Sequence, residues 1–396
     1  MTDRRFALVA GGGTGGHLVP ALTVAQAVAA ARGSESVEIV GSRRGLEGAL
    51  LTGAGLAVTT LPGRGFARSF GPRQVIANVG ATAAVGWACV MALALVARRR
   101  PAVVVAMGGY ACVPVALAAV LLGVPVVLVN IDAVPGAASR LVGRFARAAA
   151  VAFPGTRLPR AVVTGAPVRR EIVAAARPDG PVRTAARRTL GLPSDRFVVG
   201  VVGGSLGAKR INDATLALVA LWAGRSDVAV YHVVGRRDAA DMALSAPPPD
   251  SGGLVYRQVP YEDKMASFYQ AADVVVGRAG ASTVAELAVI GVAAVLVPLP
   301  GAPGDHQTAN AAALATAGGA VVLPDRDCTG ARLATEIEGL RSPPERLDEM
   351  REAAASLGRP DAVASVVSLI ETHARAGPRP RGPAGAAPTR ARHGAP

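Results

Sequence analysis

Two glycine-rich turns, each following an apolar strand and each opening a helix, constrain this chain more than any other feature. The first is Gly11-Gly12-Gly13-Thr14-Gly15-Gly16-His17, after Phe6–Ala10. The second is Gly203-Gly204-Ser205-Leu206-Gly207-Ala208-Lys209, after Phe197–Val202. A strand feeding such a turn aims several backbone N–H groups, and the positive end of a helix dipole, at one point in space. One such turn says little. Two, on successive α/β halves, predict a pair of Rossmann-like domains facing each other across a cleft suited to a phosphate-bearing ligand.

The rest of the chain follows the same alternation. In the first half, strands are expected at Val37–Val40, Ala102–Ala106, Pro125–Asn130 and Ala161–Thr164, with helices from Pro20 to Arg32, Val75 to Arg98 and Pro114 to Leu122. A Gly/Arg-rich loop is expected around Leu61–Phe70, and the halves meet near Pro167. The second half reads as strands at Val228–Val234, Leu254–Gln258, Val274–Gly277 and Ala294–Pro298. Its helices fall at Ile211–Ala223, Met265–Ala271, Thr283–Ile290 and Gln307–Thr316, then a polar helix after Pro344 and an amphipathic one at Ala362–Ala374. Such alternation implies parallel sheets covered by helices. The 51% apolar content of 396 residues supplies core for two domains.

The formal charge of +14 is shared between the folded part and a tail from Ala376 to Pro396, which carries Arg379, Arg381, Arg390 and Arg392 and no acid. That tail reads as disordered. A basic surface suits nucleic acid, an anionic membrane or phosphorylated small molecules. Nucleic acid fits least, because only 4% of residues are aromatic and base-stacking surfaces need aromatics. Cys89, Cys112 and Cys328 lack metal-ligand spacing and read as free thiols of a reducing compartment. Val79–Ala97 is nearly free of charge and is followed by Arg98-Arg99-Arg100. Its alanine and glycine content, and its place between strands, favour a core or membrane-surface helix over a span.

Three windows could carry chemistry. In Arg278–Glu286, Ser282 and Thr283 can offer N–H groups to a phosphate. Glu286 either closes a capping box with Thr283 or accepts both hydroxyls of a ribose. In Pro300–Asn310, His306, Gln307 and Asn310 either bind sugar hydroxyls or lie on a solvated helix start capped by Asp305. His17 is either structural or a general base in the cleft, since an imidazole titrates near neutrality. Arg169 and Arg170 follow the 164–168 stretch, where one can clamp a diphosphate and the other remain surface charge.

Together these windows resemble the MurG family: GGGTGGHLVPALTVA (11–25), MGGYACVPVALAA (107–119), AVPGAASRLVGRFA (133–146), TGAPVR (164–169), GGSLGAKRIND (203–213), GRAGASTVAELAVIG (277–291) and PLPGAPGDHQTANA (298–311). Members are inverting glycosyltransferases of the GT-B fold. They move N-acetylglucosamine from UDP-GlcNAc to undecaprenyl-linked muramyl-pentapeptide, lipid I, giving lipid II for the cell wall. The resemblance implies residues 1–167 as an acceptor and membrane-associating domain and 168–358 as the UDP-GlcNAc domain. It also implies a helix over 359–375 packing back on the first domain, ahead of the basic tail 376–396. Thr14, Gly15, Gly16 and His17 would lie at the reaction centre with His17 as base, and Gly108, Gly109 and Tyr110 would form the acceptor-side loop. Substrate contacts would be Asp132, Arg169, Ser205, the backbone near Glu262, the stretch Ala281, Ser282, Thr283, Val284, Ala285 and Glu286, and Gln307 and Asn310. Glu286 would hold the ribose and Ser205 the diphosphate.

The implied enzyme sits peripherally on the cytoplasmic face of the bacterial membrane, on anionic lipid and beside other cell-wall synthesis proteins. No cofactor is implied, and no DxD pair for a metal falls in a matching place. The chain departs from the family pattern at Val129-Asn130-Ile131-Asp132, in place of His-Glu-Gln-Asn, and at Ala166 and Leu206. The donor pieces are kept, while the acceptor side and hinge have drifted. Three other readings compete: a transferase of the same class with a different lipid or natural-product acceptor, a non-catalytic nucleotide-sugar-binding protein or cell-wall scaffold, and a sugar-nucleotide epimerase. His17 and the intact 281–286 window argue against the second. A sugar-nucleotide epimerase would need paired acid/base carboxylates, which the motifs do not supply.

Overall fold

A computed structural model describes residues 4–12, 15–42, 55–62, 72–240 and 253–375, with the backbone alone for residues 15 and 72–83. Two parallel sheets organise it. The first has seven strands in the order β3-β2-β1-β4-β5-β6-β7: β1 Ala7–Gly12, β2 Val37–Ser42, β3 Ala57–Leu61, β4 Val103–Gly109, β5 Val126–Asn130, β6 Ala148–Val151 and β7 Ala161–Val163. The second has six, in the order β10-β9-β8-β11-β12-β13: β8 Phe197–Val202, β9 Val228–Val233, β10 Val255–Val259, β11 Val274–Gly277, β12 Ala293–Leu296 and β13 Ala320–Val322. The central strands are Val/Ala runs buried along their length, as a sheet covered on both faces requires.

In each sheet the strand order reverses beside one strand: β1, flanked by β2 and β4, and β8, flanked by β9 and β11. Open α/β sheets bind ligands outside the carboxyl ends of their strands at such a reversal. Both glycine-rich turns leave from those two strands.

The helices that position the site are α1 Gly15–Arg32, α2 Pro72–Arg99, α3 Cys112–Leu121, α4 Ala137–Gly143, α5 Arg170–Ala174, α6 Gly180–Thr189, α7 Lys209–Leu221, α8 Met265–Ala271, α9 Ala281–Ile290 and α10 His306–Thr316; α11 Gly330–Arg341, α12 Pro344–Ser356 and α13 Ala362–His373 follow. Several sequence expectations shift. α1 starts at Gly15 rather than Pro20, so the proline lies inside the helix. α9 starts at Ala281 rather than Thr283. β3 occupies residues expected to lead into a loop. β6, β13, α4, α5, α6 and α11 fall where no element was expected. The Gly63–Gly71 loop, Thr14 and the tail 376–396 lie outside the described residues.

Each sheet is sandwiched between two apolar clusters. One cluster on the first sheet draws members from elsewhere: Val366 and Ile370 of α13, and Ala281 and Ala285 of α9. The chain thus returns from the second sheet to lie on α1, where Arg32 Nη2 meets Glu371 Oε1 at 2.8 Å. Ile370→Ala empties a fully buried site and should cost about 2–5 kcal/mol, read as a lower thermal midpoint. Glu371→Ala, at the half-exposed ion pair, should cost under about 1 kcal/mol.

Candidate active site

Glycines shape the first half of the site. At the end of β4, Gly109 (φ +75°) presses on the first turn so closely that a Cβ there would stand 2.0 Å from Gly12 O. On Gly108 (φ +87°) a Cβ would stand 2.9 Å from His17 Cδ2. Only glycine leaves room for that imidazole, and only glycine adopts these backbone angles without strain. His17 sits in the first turn of α1 with its Nε2 4.0 Å from Asp132 Oδ2, just past β5. Burial lowers its pKa, Asp132 opposes that shift, and His306 adds to it. The ring is therefore held towards its neutral form, the state that can take up a proton.

The second half presents two sets of backbone donors. The turn after β8 is tight, with Gly207 N donating to Gly204 O at 2.9 Å, and Ser205 stands on it half-buried. α9 follows β11 after three residues. Its first intrahelical donor is Val284 N to Gly280 O, so the N–H groups of Ala281, Ser282 and Thr283 are those no helix bond uses. They form an anion-binding end.

Glu286 lies one turn further in, 7% exposed. Its Oε1 takes Arg169 Nη2 at 3.1 Å and Nε at 3.3 Å, and its Oε2 takes the Tyr269 hydroxyl at 2.9 Å. Burial pushes its pKa up, while Arg169 and Tyr269 pull it back. The capping-box reading fails, because the helix starts two residues early: Gly280 is the N-cap and Glu286 lies mid-helix. Arg169, one of the two arginines that could clamp a diphosphate, lies against Glu286 and Glu171. Tyr269 has no motif to announce it; its partnership with Glu286 depends on α8 packing against α9.

The halves meet at a seam of side chains from both. Asn310 of α10 is fully buried; its Nδ2 donates to Asp132 Oδ1 at 3.0 Å and Ala279 O at 3.3 Å, and its Oδ1 accepts from Ala133 N at 2.8 Å. Asn310 was expected to bind sugar hydroxyls; here its amide is sealed from solvent and spent on the seam. Ser282 Oγ donates to Gly16 O at 3.2 Å. That carbonyl is available because residue 20 is proline, whose missing N–H cannot close the helical bond.

The remaining candidates scatter around this seam. Gln307 Oε1 accepts from Leu299 N at 2.9 Å, and Glu262 accepts from the Tyr231 hydroxyl and from Lys264 N. Tyr110 donates to Pro62 O at 3.2 Å in the first half. Val284, another expected substrate contact, is buried in the second core with its N–H spent within the helix. Asp305 stands before α10 but caps no backbone N–H; its Oδ1 takes the Thr308 hydroxyl.

Two Rossmann-like domains meeting at one seam, with the His17 imidazole on one side and a helix start with unused N–H groups on the other, have the architecture of the GT-B fold. The glycosyltransferase family 28 N-terminal domain matches residues 7–151 and the family 28 C-terminal domain matches residues 198–366. The UDP-N-acetylglucosamine–N-acetylmuramyl-(pentapeptide) pyrophosphoryl-undecaprenol N-acetylglucosamine transferase of Moorella thermoacetica is 40% identical over 371 residues, 92% of this chain and 97% of that protein. Its namesake from Desulforudis audaxviator is 36% identical over 382 residues, 94% and 99% respectively. The crystal structure of Acinetobacter baumannii MurG superposes with a TM-score of 0.69 at 29% identity, covering 92% of this chain and 98% of that one. The chain belongs to the MurG family of glycosyltransferases.

The His17–Asp132 contact yields a direct test. Titrated by NMR, the His17 imidazole should lie below the ordinary histidine range. Asp132→Asn, which removes the charge that raises it, should move it lower still. An unchanged His17 titration in that variant would disconnect the two groups.

Proposed function

We propose that this protein transfers N-acetylglucosamine from UDP-GlcNAc to lipid I, giving lipid II, in one displacement with inversion. One observation carries the reading: Ser282, at the start of the anion-binding helix, bonds to Gly16, the neighbour of His17, so donor and base share one seam. An acceptor hydroxyl attacks the anomeric carbon of GlcNAc as the bond from that carbon to the UDP oxygen breaks. His17 takes the hydroxyl proton, and UDP leaves with the bonding pair. The N–H groups of 281–283, with Ser205 and its turn, receive the charge that grows on the diphosphate. Glu286, steadied by Arg169 and Tyr269, turns to the ribose hydroxyls, and Gln307 and the backbone near Glu262 complete the donor contacts.

A second acceptor has one observation in its favour. Asn130 stands at a position where the acceptor side has drifted from the family pattern; it is 4% exposed and turns its amide into its own loop, 2.7 Å from Asp132 O. It presents no group to a substrate.

Radiolabelled UDP-GlcNAc with a short-chain lipid I analogue tests both readings, with a natural-product alcohol as the other arm. Label should move to the lipid I analogue; transfer to the alcohol alone would replace the acceptor. His17→Ala should slow turnover by about 10²–10⁴-fold with UDP affinity kept. Glu286→Ala should weaken UDP binding by about 1.5–3 kcal/mol. Full turnover in the first variant, or unchanged UDP affinity in the second, would remove that residue from its role.

The same proposal places the protein peripherally on the cytoplasmic membrane face. Trp87, Val90 and Leu93 of α2 and Leu117, Val120 and Leu121 of α3 are exposed on two helices that pack together. Arg144, Arg147 and Arg160 line a recess with Val120. Among the described residues no helix is long and apolar enough to cross a membrane. Apolar insertion with basic contacts, each worth about 1 kcal/mol at an anionic surface, gives reversible attachment. Vesicles containing anionic lipid should hold the protein and release it in high salt or carbonate, and Leu121→Asp should weaken the attachment. Extraction only by detergent would contradict this.

A further inference from the structure

Behind the second glycine turn lies a buried polar network that substrate does not reach. Gly207 (φ +91°) packs so closely on the loop after β9 that a Cβ there would stand 2.3 Å from Val234 O and 2.7 Å from Asp238 Oδ2. A Cβ on Gly235 would stand 2.1 Å from Gly207 N, and Arg236 N donates to Ser205 O at 3.3 Å. The loop therefore sets where the turn stands.

One side chain holds that loop. Asn212 of α7 is 1% exposed, and its Nδ2 donates to Val234 O at 3.0 Å and Asp238 Oδ2 at 3.1 Å. With both amide hydrogens spent, its Oδ1 faces His232 Nε2 at 3.1 Å. That nitrogen must carry the hydrogen, which turns the Nδ1 lone pair to the Tyr256 hydroxyl, 2.9 Å away. His232 is fully buried on β9, and burial holds its pKa down at about 3, so one neutral tautomer persists. Arg237 Nε, 2.8 Å from Asp238 Oδ1, balances the carboxylate that backs an anion-binding turn. A buried polar chain paired from Val234 O and Asp238 through Asn212 to His232 fixes one geometry, because any other leaves a group unpaired in a low dielectric.

We propose that Asn212 and Asp238 are positioning residues for the turn that receives the donor diphosphate: by clamping the 234–238 loop they set where the N–H groups of 204–208 stand, without touching the donor. This rests on the donor reading above.

The test is calorimetric titration of UDP into the wild type, Asp238→Ala, Asp238→Asn and Asn212→Ala, with thermal midpoints and Michaelis constants for each. Asp238→Ala should weaken UDP binding about tenfold, as misplacement of a preorganised site does. Its midpoint should fall by less than that of Asn212→Ala, which loses the whole amide, and the Michaelis constant should rise for the donor but not for the acceptor. Asp238→Asn keeps an oxygen to accept from Asn212 and should restore most of the affinity. Asn212→Ala should match or exceed the loss. Should it fail to fold, Asp238, on a half-buried surface loop, still decides the matter. Wild-type UDP affinity in folded Asp238→Ala would overturn this inference alone. A wild type that binds no UDP would overturn the donor reading and this inference with it.

Discussion

The buried amide of Asn310 joins the two halves of this molecule in a way few other contacts could. An amide sealed from water must find partners for its donors and its acceptor, or lose on the order of 1–3 kcal/mol for each group left unpaired. Asn310 finds Asp132 and Ala133 on the first half and Ala279 on its own. The domains therefore satisfy it only in one relative placement. Because Asp132 offers its other oxygen towards His17, that placement also fixes the charge next to the base. Approach of the halves and the electrostatics of His17 depend on the same side chain.

Two glycine turns of similar composition thus serve different purposes. Beside the first, Gly108 and Gly109 at the end of β4 clear space for an imidazole and let two strand ends touch. In the second, Gly207 meets Gly235 of the loop after β9, and the contact sets a rim of backbone donors. In the proposed reaction the first half positions the group that accepts a proton, and the second positions the groups that accept negative charge. Displacement at an anomeric carbon needs both on opposite sides of one atom, which accounts for a cleft between two sheets. Pro20 links the two halves: it frees the Gly16 carbonyl for Ser282 of α9, so a residue that appears to weaken α1 in fact strengthens the seam.

Much of this architecture was legible from local pattern. Phe197–Val202, Val274–Gly277 and Met265–Ala271 fell where the apolar runs and their glycine or alanine borders put them, because each is decided within a few residues. Glu286 was singled out from its window, yet its partners were not. Tyr269 and Arg169 reach it only once α8, α9 and the chain before α5 have packed together. The partners of Asn310 were hidden for the same reason: an amide on a helix start looks solvent-facing until a second domain covers it. The short alanine-rich β6 and the three-residue β13 carry too few side chains to show a period, and their neighbours in the sheet define them.

The account stands or falls on which half receives the nucleotide. Amide hydrogen exchange with and without UDP measures this directly. Protection should appear over residues 203–208 and 281–284, with the start of α1 slowed only as the halves close. Protection confined to residues 15–18 and 108–110, with 203–208 and 281–284 unchanged, would put the nucleotide on the first half and contradict the assignment of donor and base.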